Sequence, residues 1–320
     1  MAFSPLTPAQ SARLTRRVTT MSVATAVVLV TIKALVWLAS GSVALLASMA
    51  DSGLDVIASG ATFFAVRYAA APPDAEHRYG HGKAEAFASL IQAGLVFASA
   101  ALIGQQAIRH ILHPQPIERT GWAIAVMALS TVLTAALIGA QTRLLRKTAS
   151  VAVSADRTHY LADLASNLIA LAGIGAVAVF EWPNLDAIAG LAVALLLLWG
   201  AVAVFRESSS QLMDRELPND ERARIAALIT EDPRITNVHQ LRTRASGPIV
   251  HIQLHADFDP DLSLIAAHQA VVAAERRVLA AFPAAEIIVH PDPRGHAEPH
   301  VGAFPEFHER TDDSPPQTRP

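Results

Sequence analysis

Apolar residues along this chain gather into six long runs, approximately Val18 to Ser40, Val43 to Tyr68, Ala86 to His110, Gly121 to Gln141, Thr158 to Phe180 and Ala187 to Phe205. A hydrocarbon core about 30 Å thick takes roughly 20 apolar residues of helix, so each run predicts a membrane-spanning helix. The third, fourth and sixth carry no charge through most of their length, whereas the second and fifth hold ionisable residues in their outer turns. After the sixth run the pattern changes. Leu217-Pro218-Asn219-Asp220 reads as a turn and N-cap opening an amphipathic helix to about Thr230. Ile235 to Thr243 and Ile249 to Phe258 read as strands joined by a turn at Ala245-Ser246-Gly247-Pro248. A helix from about Leu262 to Phe282 and a last strand, Glu286 to His290, complete the pattern. The predicted fold is an all-α six-helix transmembrane domain followed by an α+β domain of αββαβ order.

The expected divisions are a lead at 1–17, the membrane domain at 18–207, the αββαβ domain at 208–293 and a tail at 294–320. The tail is rich in Pro, His and charge without periodicity, and is expected to be disordered. The lead is polar and lacks an A-x-A-like cleavage site, so it reads as a cytoplasmic approach to the first span, not a cleaved signal. Basic residues bias the orientation. Arg13, Arg16 and Arg17 precede the first span, Arg67, Arg78 and Lys83 flank the loop after the second, and Arg143, Arg146, Lys147 and Arg157 flank the loop after the fourth. The opposite connections hold little beyond Arg119, which predicts both termini on the cytoplasmic side.

Composition agrees with a membrane protein: 52% of the 320 residues are hydrophobic and 17% are charged. A net charge of −3 and the lack of a basic stripe argue against nucleic acid as a partner. Cysteine is absent, which excludes disulfides and thiolate metal sites. Any metal must be held by His and carboxylates.

The second and fifth runs supply such donors. Asp51 and Asp55 lie four residues apart, as do His159 and Asp163, so each pair stacks on one helix face. A charged side chain in hydrocarbon costs about 2.5–3.5 kcal/mol even on the lenient insertion scale. Three carboxylates and an imidazole at that depth need joint neutralisation, and a divalent cation supplies it. Four donors suffice for a tetrahedral site if the two helices face each other. The donor set suits zinc, ferrous iron, cobalt or cadmium better than cuprous ions or magnesium. Two other readings of these residues stand beside it, polar contacts that only specify helix packing and a proton relay without metal. An intramembrane metalloenzyme would need an activated water and a general base, and no H-E-x-x-H occurs in the spans.

Further candidates lie outside the spans. Asp74, His77 and His81 form a D-x-x-H-x-x-x-H cluster after the second run. In the second strand, alternation places His251, Gln253, His255 and Asp257 on one face, which suggests an interface or a metal site. His239, His268, His290 and Asp292 add donors on neighbouring elements. Lys33 reads as a residue snorkelling to an interface, and His110 and His113 as interfacial. None of these three is given a chemical role.

The stretches Leu45 to Asp55, His77 to Glu85 and Asp156 to Asp163 resemble, in order, motifs of the cation diffusion facilitator family, and the similarity runs from the first helix to about Pro293. It is strongest to the bacterial ferrous-iron and zinc efflux pumps of that family. The resemblance implies a homodimer in the bacterial inner membrane with a metallochaperone-like cytoplasmic domain. It implies that Asp51, Asp55, His159 and Asp163 form the transport site and that metal leaves in exchange for protons. It places one loop ion at Asp74, His77 and His81, and regulatory ions between the paired cytoplasmic domains of the dimer at His239, His255, His268, His290 and Asp292. The expected ion is Zn2+ or Fe2+, with Cd2+ or Co2+ as further cargo and no organic cofactor. Lys83 and Asp214 resemble a charge pair tying the membrane part to the soluble one. Arg157-Thr158 departs from the apolar residues common in relatives, and leaves metal preference open. A manganese-preferring exporter of the same family, and a metal sensor without coupled transport, are the competing functions.

Overall fold

The computed structural model describes residues 6–40, 43–112, 121–148, 150–180 and 185–296. The expected disordered tail falls almost wholly outside this set. Six long helices come first: α1 (Pro8–Ser40), α2 (Val43–Ala69), α3 (Lys83–Leu112), α4 (Gly121–Leu145), α5 (Val151–Phe180) and α6 (Leu185–Leu212). Helix α1 begins ten residues before its apolar run and α5 seven before. The added turns are polar, yet they are helical because they pack inward: Ser11, Thr15 and Thr19 are buried at i,i+4 spacing, and so are Ala152 and Asp156.

The polarity of the helices is inverted relative to a water-soluble bundle. Large apolar side chains such as Leu38, Phe64, Phe87, Leu102 and Trp199 face outward, while Ser22, Ser59, Thr62, Gln92, Thr134 and Gln141 are buried. In lipid, apolar contact drives helices together no more than it drives them into the bilayer, so small and polar residues form the interfaces. Helix α3 lies along α6, α1 along α2 and α4 along α5, and α5 also touches α2, α3 and α6. That central position exposes α5 to nearly every other helix.

Among the described residues, four segments are long and apolar enough to cross a membrane: Pro8–Ala39, Lys83–Leu112, Ala125–Leu145 and Ile188–Leu212. Helices α2 and α5 carry the ionisable residues Asp51, Asp55 and Arg67, and Asp156, Arg157 and Asp163.

The described residues divide into two compact units. One runs to Asp214 and takes in Ser246–Ile249; the other comprises Arg215–Ala245 and the chain from Val250 onward. The second unit holds α7 (Asn219–Thr230), β1 (Ile235–Ser246), β2 (Ile249–Phe258), α8 (Leu264–Ala281) and β3 (Ala285–Pro293). Its sheet has the order β1-β2-β3. Strand β3 runs parallel to β2 after the α8 crossover, with His255 opposite His290 and Asp257 opposite Asp292. Ile225 and Ile229 of α7, Ile252 and Leu254 of β2, and Ala270, Ala274 and Val278 of α8 are buried and form its core. Ser263 caps α8, its hydroxyl accepting from the Ala266 N–H at 3.3 Å. The apolar side of the sheet is therefore spent on the helices, and the His-bearing side is left polar.

Candidate metal centres

The contact of α2 with α5 joins the two pairs of ionisable residues. His159 Nε2 lies 2.9 Å from Asp55 Oδ1 and 3.9 Å from Asp163 Oδ2. One donor atom from each of Asp55, His159 and Asp163 falls within 4.8 Å of the other two, and Asp55 and His159 are buried. Nδ1 of His159 is buried without a hydrogen-bond partner among the described residues. The side chain of Asp51, the fourth expected member, lies outside the described residues.

One turn earlier on α5, a second acid completes a polar hub that the apolar pattern hid. Asp156 is fully buried. Its Oδ1 accepts from Gln92 Nε2 of α3 at 3.3 Å and from the Ser59 hydroxyl of α2 at 3.4 Å, and its Oδ2 accepts from Gln141 Nε2 of α4 at 2.8 Å. Tyr160 donates to the Ser22 carbonyl of α1 at 3.1 Å and lies 2.8 Å from the Ser59 hydroxyl. Five helices thus meet around one carboxylate, as a buried charge requires. A fifth helix expected to begin at Thr158 leaves Asp156 outside it. The available signal was its i−3 spacing from His159, together with Gln92 and Gln141 near the ends of their apolar runs.

Lys33 is corrected by the structure. It is buried, and its ammonium donates to the Ser52 hydroxyl at 2.6 Å, one turn from Asp55, so it does not reach an interface. His110, near the end of α3, is half-buried, and His113 lies outside the described residues.

After α2, Asp74 lies 3.3 Å from His77 Nδ1 and 3.2 Å from His81 Nε2. These three donors also fall within 4.8 Å of one another. The His77 N–H bonded to Asp74 Oδ1 at 2.6 Å holds the Asp74 carboxyl below its usual range, with the Glu76 N–H adding to the effect. Asp74 is therefore an anion across physiological pH. Lys83 and Asp214 form the expected ion pair at 2.9 Å, and Lys83 also donates to the Leu212 carbonyl.

In the second unit, His239 of β1, His255 of β2 and Asp292 of β3 converge, their donors within 4.8 Å. Asp292 lies 2.8 Å from His255 and 3.3 Å from both His239 and His290. The sheet register that sets His255 opposite His290 produces this cluster. Within the single chain, His268 lies exposed on α8, outside this group. Asp257, left out of the expected ligand set, lies 3.2 Å from His239. Alternation had placed it on the His face, but only the pairing of β1 with β2 brings it to His239. His251 is buried and pairs with Glu286 at 3.0 Å, away from these donors.

Residues 19–213 match the cation efflux transmembrane domain, and residues 217–294 match the cytoplasmic domain of cation efflux proteins. The chain is 42% identical to the cation-efflux pump FieF of Shewanella oneidensis over 85% of its length and 92% of that protein. It is 37% identical to the FieF pump of Klebsiella pneumoniae over 88% of its length and 93% of that one. A solved chain of CzrB in its Zn form aligns to 27% of this chain and 98% of its own, at 32% identity and a TM-score of 0.25. Two contiguous family regions and full-length relatives settle the matter: this chain belongs to the cation diffusion facilitator family and is a membrane cation efflux transporter, not an enzyme.

Proposed function

We propose that the chain exports a divalent transition-metal ion, zinc or ferrous iron, in exchange for protons through Asp51, Asp55, His159 and Asp163. The observation that carries this reading is the convergence of Asp55, His159 and Asp163 from two helices into a space of one ion's size. Each ligand must be deprotonated to bind metal, so protons and metal compete for the same atoms. Exposing such a site alternately to the two sides couples the two fluxes. Helices α2 and α5, with 27 and 30 residues, reach about 40 and 45 Å. They span the bilayer with the other four, their ionisable residues turned from lipid, and both termini are cytoplasmic.

In the second unit, His239, His255, His290 and Asp292 hold a cytoplasmic regulatory ion, with Asp257 orienting His239. The matched cytoplasmic domain suggests dimerisation, and a homodimer is the assembly we assign. Asp74, His77 and His81 take a further ion near the entrance. The donor set of aspartate carboxylates and imidazole favours zinc over ferrous iron by intrinsic affinity.

Reconstituted vesicles with a metal-sensitive dye inside test the central reading. An opposing proton gradient is expected to accelerate zinc flux, and collapsing it with an ionophore to slow the flux. Zinc flux indifferent to the gradient overturns the exchange.

A further inference from the structure

A groove of about 650 Å3 runs between α5 and α6 on the outer face of the membrane unit. Its walls are mostly aliphatic and aromatic, among them Leu161, Leu168, Leu196 and Trp199, all exposed. Two charged residues of opposite sign interrupt it, Arg157 from α5 and Glu207 from α6. Thr158, next to Arg157, packs against Gly200 of α6, and Glu207 follows Gly200 by seven residues, so the carboxylate lies roughly 9 Å along the axis from Arg157, toward the start of α5.

Neither charge is used by the ion sites. Arg157 donates only to the Thr142 hydroxyl, at 3.4 Å, and its Nε is buried without a hydrogen-bond partner among the described residues. No ion pair joins Arg157 or Glu207 to another side chain among the described residues. Both are half-buried. A half-buried guanidinium without a counter-ion among the described residues calls for one, and Arg157 and Glu207 stand where the apolar runs of α5 and α6 end, the level at which lipid headgroups lie. Its size lies in the roughly 300–1,000 Å3 range of small-ligand sites, and it is concave, unlike a flat protein interface.

We propose that this groove binds a zwitterionic aminophospholipid. The planar guanidinium of Arg157 takes the phosphate, the Glu207 carboxylate accepts from the primary ammonium, and an acyl chain lies along Leu161, Leu196 and Trp199. A phosphate alone would meet the Glu207 carboxylate, and a quaternary ammonium has no N–H to donate to it. The charge pattern therefore selects phosphatidylethanolamine over phosphatidylglycerol and phosphatidylcholine. Since Arg157 precedes His159 by two residues, the bound headgroup also steadies the turn of α5 that leads into the ion site.

Native mass spectrometry of the purified full chain, given the three phospholipids with matched acyl chains, tests this. The expected result is retention of phosphatidylethanolamine over the others by about tenfold. Arg157→Gln is expected to abolish retention of all three and Arg157→Lys to restore part of it. Glu207→Gln is expected to erase the preference while phosphate-dependent retention remains. Wild-type lipid retention in both Arg157→Gln and Glu207→Gln overturns the proposal. So does a loss of dimer in Arg157→Gln with lipid retention unchanged, which assigns the groove to a second copy of the chain.

Discussion

Replacing Asp55 by Asn tests the proposed ion site most directly. The side chain keeps its shape and its capacity to hydrogen-bond His159, now 2.9 Å away, while one negative charge disappears from a buried place. His159 and Asp163, 3.9 Å apart, are left to face a divalent ion with Asp51. Removing one partner from a buried charge cluster costs about 3–5 kcal/mol. At 1.4 kcal/mol per factor of ten, that is roughly a 10²- to 4 × 10³-fold loss of zinc affinity. The measurement is a chelator competition on the full chain in detergent, made with His239, His255 and Asp292 and the loop residues Asp74, His77 and His81 also replaced by Ala so that the other candidate sites are silent. A loss of less than about fivefold in an otherwise folded protein refutes the assignment of Asp55 as a ligand, because no buried carboxylate facing the ion could be so dispensable.

Three further outcomes are expected. His255→Ala should weaken zinc binding by the second unit by at least about tenfold, a loss of the size seen when one partner of a charged cluster is removed; titration of the full chain with Asp55 and Asp163 replaced by Asn and Asp74, His77 and His81 by Ala isolates that unit. Asp156→Asn turns an acceptor into a donor against Gln92, Gln141 and Ser59, which should destabilise the membrane unit by about 3 kcal/mol and lower the melting temperature by roughly 6–12 °C. In the second unit, the Arg234 guanidinium bonded to both oxygens of Asp232 holds its carboxyl down to about 2. A depressed acid stabilises the fold above its unfolded value near 3.9 and loses that contribution as pH falls toward 2. Asp232→Asn should therefore be less stable than the parent by about 1 kcal/mol at neutral pH, after discount for solvent screening. That gap should close between pH 4 and 2, as read by denaturant titration.

The order of elements was legible in the sequence because each rests on local rules. Long apolar runs demand helices in lipid, and alternation with a Gly-Pro turn between Thr243 and Ile249 demands a hairpin. The pair His159 with Asp163 was legible for the same reason, since i,i+4 spacing fixes a helix face without knowledge of the neighbours. Asp74, His77 and His81 cohere by proximity along the chain. Helix ends were less so. Polar turns at the starts of α1 and α5 look like loops until a neighbour supplies the face on which Ser11, Thr15 and Asp156 are buried.

Periodicity says which side of a helix or strand a residue occupies, but nothing about what stands opposite. Which acid serves His239, where Lys33 points and that five helices share Asp156 are all such questions. Each depends on contacts between elements far apart in the chain, and a two-residue change of register or a rotation of one helix would answer it differently. The tertiary structure alone decided them, because a donor and an acceptor separated by tens of residues come within 3 Å only when packing has fixed both backbones.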